Sequence, residues 1–165
     1  MNAAGKRLIA WEEAANARLV PGTVVQQWDR GLIEKAVRQG AKVIFSPSKR
    51  AYLDMKYDRK TRLGQDWAGH ISVRDAYEWD PATYAPGVAE GDILGVEAPL
   101  WTETLATITD LQYMALPRLA GIAEIGWSPR ASRGWNEYRD RLGAQGPRLE
   151  KMGLHFHRAP GVPWM

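Results

Sequence analysis

The sequence predicts an α/β fold in which four βα units build a parallel sheet and a further helix follows. Two observations carry that reading. Short apolar runs alternate with amphipathic segments along the 165 residues, the order that yields a parallel sheet with crossover helices. Tryptophans also stand where candidate strands finish, at Trp11, Trp28 and Trp101, and that edge is where parallel α/β proteins assemble their sites. Four units are half of a closed (β/α)8 barrel, which typically takes about 250 residues.

In chain order, Lys6–Ala10 is the first strand candidate and delivers Trp11 with the acidic pair Glu12-Glu13. A helix-like stretch, Glu13–Leu19, is closed by Pro21-Gly22, a pair that stops a helix and turns the chain. Thr23–Gln27 is β-branched and ends at Trp28-Asp29. Gly31 introduces Leu32–Gln39, in which Leu32, Ile33, Ala36 and Val37 share one helical face, and Gly40 ends it. Lys42–Phe45, KVIF, reads as a compact buried strand broken by Ser46-Pro47-Ser48. Residues 46–92 then read as a long irregular region, with a helical turn starting near Asp80-Pro81. A stretch of that length inside a compact domain usually carries function. Asp92–Leu100 is the fourth strand, and Ile108–Ile125 a helix that Pro117 must kink or divide. Trp135–Met152 is the last amphipathic helix, followed by a Pro-rich tail, HFHRAPGVPW, laid along the surface.

Composition excludes several classes. The balance of 22 Lys plus Arg against 19 Asp plus Glu gives +3, too little to require a nucleic acid, and Lys56, Arg59, Lys60 and Arg62 read as a solvated loop. The absence of cysteine rules out disulfides and thiol chemistry. No apolar run has the length of a membrane span or the pattern of a leader, so no membrane partner is expected and the compartment is left open. His70, His155 and His157 lack metal-site spacing, and neither a Gly-rich phosphate loop nor a G-x-S-x-G elbow occurs. No metal or cofactor is expected. Eight Trp and six Tyr against two Phe favour a surface for something amphipathic. Trp79 and Trp127 stand away from the proposed strand ends and read as packing residues, and Asp75, Asp80 and Glu97 as ordinary loop or strand-flank acids.

The central stretch is GVEAPLWTE, Gly95–Glu103. It ends by presenting an indole and, two residues later, a carboxylate. A pyranose has apolar C–H faces that stack on aromatic rings and hydroxyls that donate to carboxylates, so Trp101 and Glu103 suit one sugar subsite. Tyr52 and Asp54 lie just beyond the third strand and Trp67 further along the same irregular region.

Six segments in order carry a resemblance: AWEE at Ala10–Glu13, VVQQW at Val24–Trp28, AYLDMKY at Ala51–Tyr57, the Trp67–Pro81 stretch with its Y-x-W-D-P ending, GVEAPLWTE, and PRLAGIAEIGW at Pro117–Trp127. Together they resemble the C-terminal half of the catalytic barrel of glycoside hydrolase family 20, the β-N-acetylhexosaminidases. The likeness runs from about Lys6 to about Leu154. It implies strands 5 to 8 of a (β/α)8 TIM barrel plus a C-terminal helix, residues 1–165 forming a partial catalytic domain whose N-terminal half is the missing partner.

Members of that family remove terminal β-linked N-acetylglucosamine or N-acetylgalactosamine with retention, the substrate's own acetamido oxygen acting as nucleophile, outside the usual two-carboxylate scheme. The resemblance implies that Trp11, Trp28 and Trp101 wall the acetamido group, that Tyr52 donates its hydroxyl to the acetamido oxygen, that Asp54 and Glu103 accept from sugar hydroxyls, and that Trp67 closes the pocket. Glycans ending in N-acetylhexosamine are then the partners. The family's adjacent Asp-Glu pair, the acid and the polariser of the acetamide, belongs to an H-x-G-G-D-E type motif that this sequence lacks. Glu12-Glu13 is the only adjacent acidic pair and reads as structural, at the start of a helix. Without a general acid, the chain alone is expected to be close to inert. A non-catalytic N-acetylhexosamine-binding protein is the alternative, and a homodimer that closes one barrel a further one.

Overall fold

A computed structural model describes residues 4–29 and 31–165. Its four strands are β1 (Ile9–Trp11), β2 (Val24–Gln27), β3 (Lys42–Phe45) and β4 (Ile93–Val96). Its helices are α1 (Ile33–Arg38), α2 (Val73–Tyr77), α3 (Pro81–Tyr84), α4 (Ile108–Ala115), α5 (Arg118–Trp127), α6 (Trp135–Ala144) and α7 (Gly146–Lys151). The chain divides into two units, one comprising residues 1–48 and 80–97, the other residues 49–79 and 98–165.

The first unit is the sheet. All pairings are parallel and sequential, β1-β2-β3-β4, with Ile9 opposite Val24, Val25 opposite Val43, and Phe45 opposite Val96. Val25, Val43 and Phe45 have no exposed surface, and Val24 almost none. These are β-branched and aromatic residues, and β2 is buried at every position, as the interior strand of a parallel sheet is. From α1, Ile33 and Ala36 are buried, and the helix lies against β2 and β3. Gly40, at φ +82°, takes the left-handed turn that ends it. Tyr84 of α3 meets Phe45 edge-on at 5.7 Å.

Several boundaries differ from the sequence reading. Strand β1 is displaced towards the C-terminus of the predicted Lys6–Ala10, because regular pairing with β2 begins only at Ile9. The helix-like stretch after it is a five-residue 3-10 helix, Glu12–Asn16, halted when Ala17 becomes extended. The predicted fourth strand, Asp92–Leu100, stops at Val96. Glu97 N–H still reaches Phe45 O at 2.9 Å, but Pro99 has no N–H with which to continue. Trp101 therefore stands five residues past the strand, not at its end.

The second unit is helical. Pro117 divides the predicted Ile108–Ile125 helix into α4 and α5, with Leu116 extended between them. The last predicted helix is also two, interrupted at Gln145, where Gly146-Pro147 opens α7. Helix α2 packs on α5: Tyr77 stacks on Tyr138 at 4.0 Å and donates to Glu124 at 2.8 Å, while Arg141 makes a two-bond fork with the same carboxylate. The tail is packed more tightly than predicted. Ala159 and Val162 are buried, and His157 lies flat on Tyr57 at 3.9 Å. Trp79 packs as expected, 8% exposed, its indole donating to Ala76 O. Trp127 does not. It is the last residue of α5, on that helix's outer face, and is 91% exposed.

No described helix is long and apolar enough to cross a membrane.

Candidate functional site

In the first unit, Trp11 closes β1 and caps the 3-10 helix that follows, while Trp28 comes directly after β2. The acidic pair between them holds the turn together. Glu12 has no exposed surface. Its Oε1 accepts the backbone N–H groups of Trp28 at 2.9 Å and Asp29 at 2.7 Å, and its Oε2 accepts that of Leu32 at 2.8 Å. Glu13 accepts the Trp28 indole N–H at 2.9 Å, which fixes the ring's orientation. The pair thus organises the chain after β2 and the entry to α1, in line with the structural reading of it.

In the second unit, the stretch read as irregular is deeply buried where it matters. Residues 51–55 form no regular element yet are buried throughout. Several of their main-chain groups are paired at a distance, as buried amides require. Leu53 N–H donates to Pro99 O at 2.8 Å, Gln65 N–H to Asp54 O at 2.7 Å, and Lys56 N–H to Gln65 O at 2.8 Å. This folding back at Gln65 brings Trp67 to Tyr52, the rings edge-on at 6.0 Å. The Leu53–Pro99 bond draws in the segment bearing Trp101, whose ring lies 6.5 Å from that of Tyr52.

Tyr52 and Asp54 are 4% and 1% exposed, whereas Trp67 and Trp101 are about half exposed, at 54% and 45%. Two open indole faces therefore flank a buried phenol and a buried carboxylate. Burial pushes the Asp54 pKa above the ordinary aspartate value. The Trp101 backbone N–H donating to it opposes that rise, the like charge of Glu103 adds to it, and the Arg118 charge draws it back down. Asp54 Oδ1 has no hydrogen-bond partner among the described residues. A buried carboxylate oxygen left open is costly unless something donates to it. Glu103 itself is exposed.

The second unit thus brings together Tyr52, Asp54, Trp67, Trp101 and Glu103; Trp11 and Trp28 belong to the first unit. The basic loop is solvated as expected: Arg59, Lys60 and Arg62 are exposed, and Lys56 pairs with Asp66 at 3.0 Å. Two residues that carry the site gave no clear signal in the sequence. Gly64 adopts φ +91°, and a Cβ there would lie 2.5 Å from both Asp54 O and the Met114 Cε. Gly64→Ala is expected to destabilise the chain by roughly 2–4 kcal/mol, read as a lowered urea midpoint; an unchanged midpoint would contradict the packing described. The other is Arg118. A cation opening an otherwise apolar helix directly after a proline was the available clue.

The profile of the family described as "Glycosyl hydrolase family 20, catalytic domain" matches residues 1–130. A beta-N-acetylhexosaminidase of Cellulomonas fimi is 46% identical over 165 residues, covering 98% of this chain and 33% of the relative. The human beta-hexosaminidase subunit beta is 28% identical over 90% of this chain and 26% of its own length. Among solved structures, the family 20 beta-N-acetylhexosaminidase of Streptomyces coelicolor A3(2) superposes with a TM-score of 0.95 at 46% identity, over 99% of this chain and 35% of that one. A mutant Streptomyces plicatus beta-hexosaminidase in complex with its product GlcNAc superposes with a TM-score of 0.96 at 46% identity, over 99% of this chain and 34% of that one. The chain spans about a third of the length of these bacterial relatives. With the family profile covering 130 of its 165 residues, the chain belongs to glycosyl hydrolase family 20.

Proposed function

We propose that this chain supplies the N-acetylhexosamine-holding part of a β-N-acetylhexosaminidase, as the C-terminal half of a (β/α)8 barrel, strands 5 to 8, and that hydrolysis needs an acid and a polarising carboxylate from outside it. The observation that carries the reading is the cluster of the second unit: half-exposed Trp67 and Trp101 beside a buried Tyr52 and a buried Asp54 whose Oδ1 has no partner among the described residues. Indoles suit the apolar faces of the sugar and its acetamido methyl, and the phenol suits the acetamido oxygen. Asp54 and the exposed Glu103 suit the hydroxyl rim. The engagement of both Glu12 oxygens by main-chain N–H groups supports placing the acid elsewhere. The four parallel strands in sequential order suit half a barrel.

The test has two parts. Tryptophan fluorescence of the folded chain is expected to respond to N-acetylglucosamine or N-acetylgalactosamine and not to glucose. A chromogenic β-N-acetylglucosaminide is expected to be cleaved only when the N-terminal half of a family catalytic domain is joined to the chain. Binding without cleavage even in the joined protein would favour a sugar-binding role alone. Full-rate cleavage by the isolated chain would overturn the assignment of the acid.

A further inference from the structure

Among the described residues, Arg118 is the largest side chain with no exposed surface, and no carboxylate pairs with it. Its two terminal nitrogens carry four N–H donors and meet four main-chain oxygens. Nη1 donates to Met55 O at 2.7 Å and to Ile71 O at 3.1 Å; Nη2 donates to Leu53 O at 2.5 Å and to Met114 O at 2.9 Å. The guanidinium lies 3.8 Å above the Tyr57 ring, which also stacks flat with His157 and meets Tyr113 edge-on. The Tyr57 hydroxyl in turn sits within 3.0 Å of the carbonyls of Tyr113, Met114 and Leu116.

This arrangement follows from the helix break. Pro117 has no N–H and Leu116 is extended, so the last carbonyls of α4 lose their helical partners. A cation and a phenol replace them, at the helix end that favours positive charge. The same cation reaches across to the segment that bears the sugar-facing residues. Leu53 stands between Tyr52 and Asp54, and its peptide groups are held on both sides, N–H by Pro99 O and carbonyl by Arg118. The next carbonyl but one, Met55 O, is held by Arg118 as well. No regular secondary structure fixes residues 51–55; the guanidinium fork holds them at the Leu53 and Met55 carbonyls, beside the bonds to Pro99 and Gln65.

We propose that Arg118 is the positioning residue of the sugar site: it sets the backbone from which Tyr52 and Asp54 project, and it supplies positive charge near Asp54 without occupying the carboxylate. A direct ion pair would use the acceptor that the sugar needs, whereas a charge one layer back leaves Asp54 Oδ1 without a partner among the described residues. This assignment rests on the proposed function, since positioning has meaning only if the cluster holds a sugar.

The test compares the full chain with Arg118→Lys, Arg118→Ala and a control, Leu142→Ala, which loses a buried side chain of α6 in the same unit. Affinity for N-acetylglucosamine is read by fluorescence, and the backbone amide signals of Leu53 and Gln65 by NMR. Lysine keeps the charge but not the planar fork, so Arg118→Lys is expected to weaken binding at least tenfold and to shift both amides. Leu142→Ala is expected to stay within twofold and to leave both signals in place. Millimolar guanidinium is expected to restore much of the affinity of Arg118→Ala, and an equal concentration of potassium to restore none. Affinity in Arg118→Lys within twofold of the parent, or falling only in step with the control, overturns the proposal. If Arg118→Ala does not fold, Arg118→Lys decides. If the parent chain binds no sugar, the functional reading fails on its own, and the amides still judge Arg118: a shift in Arg118→Lys but not in the control supports its hold on the segment, and unchanged amides overturn it.

Discussion

Asp54→Asn is expected to weaken N-acetylglucosamine binding by about 10–100-fold, the worth of a hydrogen bond to a charged acceptor, while making the protein more stable at neutral pH. Both effects have one origin. The carboxylate is 1% exposed, and its burial outweighs the opposing Trp101 N–H and the Arg118 charge, so its pKa in the folded chain is raised. A carboxyl whose folded pKa exceeds its unfolded value makes the folded state the tighter proton binder. Stability is then greatest below the unfolded pKa and falls as pH rises towards the folded pKa. Above that point the ionised group burdens the fold by a constant amount, which asparagine removes. The melting temperature of the variant should exceed that of the parent at neutral pH, with the gap narrowing as pH is lowered through that window. Sugar affinity of the parent should fall over the same window as Asp54 takes up its proton, and affinity of the variant should stay flat. A variant that is both less stable and unchanged in affinity would remove Asp54 from the site.

The second large effect belongs to the first unit. Glu12→Ala is expected to cost roughly 2–4 kcal/mol, because three part-buried backbone donors, those of Trp28, Asp29 and Leu32, lose their common buried acceptor. Glu12→Gln should cost about 1–3 kcal/mol. Its oxygen can keep one side of the arrangement, while its NH2 group would face an N–H where an acceptor is required. Urea unfolding measures both. Midpoints within error of the parent in both variants would mean that the main chain after β2 holds itself without the carboxylate. Loss of the Trp28 environment at denaturant concentrations below the global transition would show that Glu12 chiefly anchors that turn.

These two acids show how unevenly the sequence speaks. Asp54 was legible as a candidate because it stands two residues from Tyr52 within a family-like motif; its burial and its open oxygen were not, since they depend on the packing around it. Glu12 was legible as structural from its place before a helix, but not as a hub for three amides up to 20 residues away. Trp127 was misread because an indole at the end of an apolar helix has the same local pattern whether or not another surface covers it. The sequence extends the fourth strand too far because Gly95–Leu100 is apolar but for Glu97 and only the pairing with β3 decides where it stops.

Determined by the sequence itself are the parallel α/β order, the KVIF strand, the breaks at Gly40 and Pro117, and the candidacy of the aromatic and acidic site residues, because each follows from local periodicity, from a residue's own backbone limits, or from a motif read in order. Decided only by the tertiary structure is how residues 51–55 can be buried without regular secondary structure: the carbonyls of Met55 and Leu53 are met by Arg118, 63 and 65 residues away along the chain. Periodicity reports which side of a local element is apolar. It carries no information about a distant guanidinium, and a buried segment whose polar groups are satisfied from afar becomes visible only when the chain is folded.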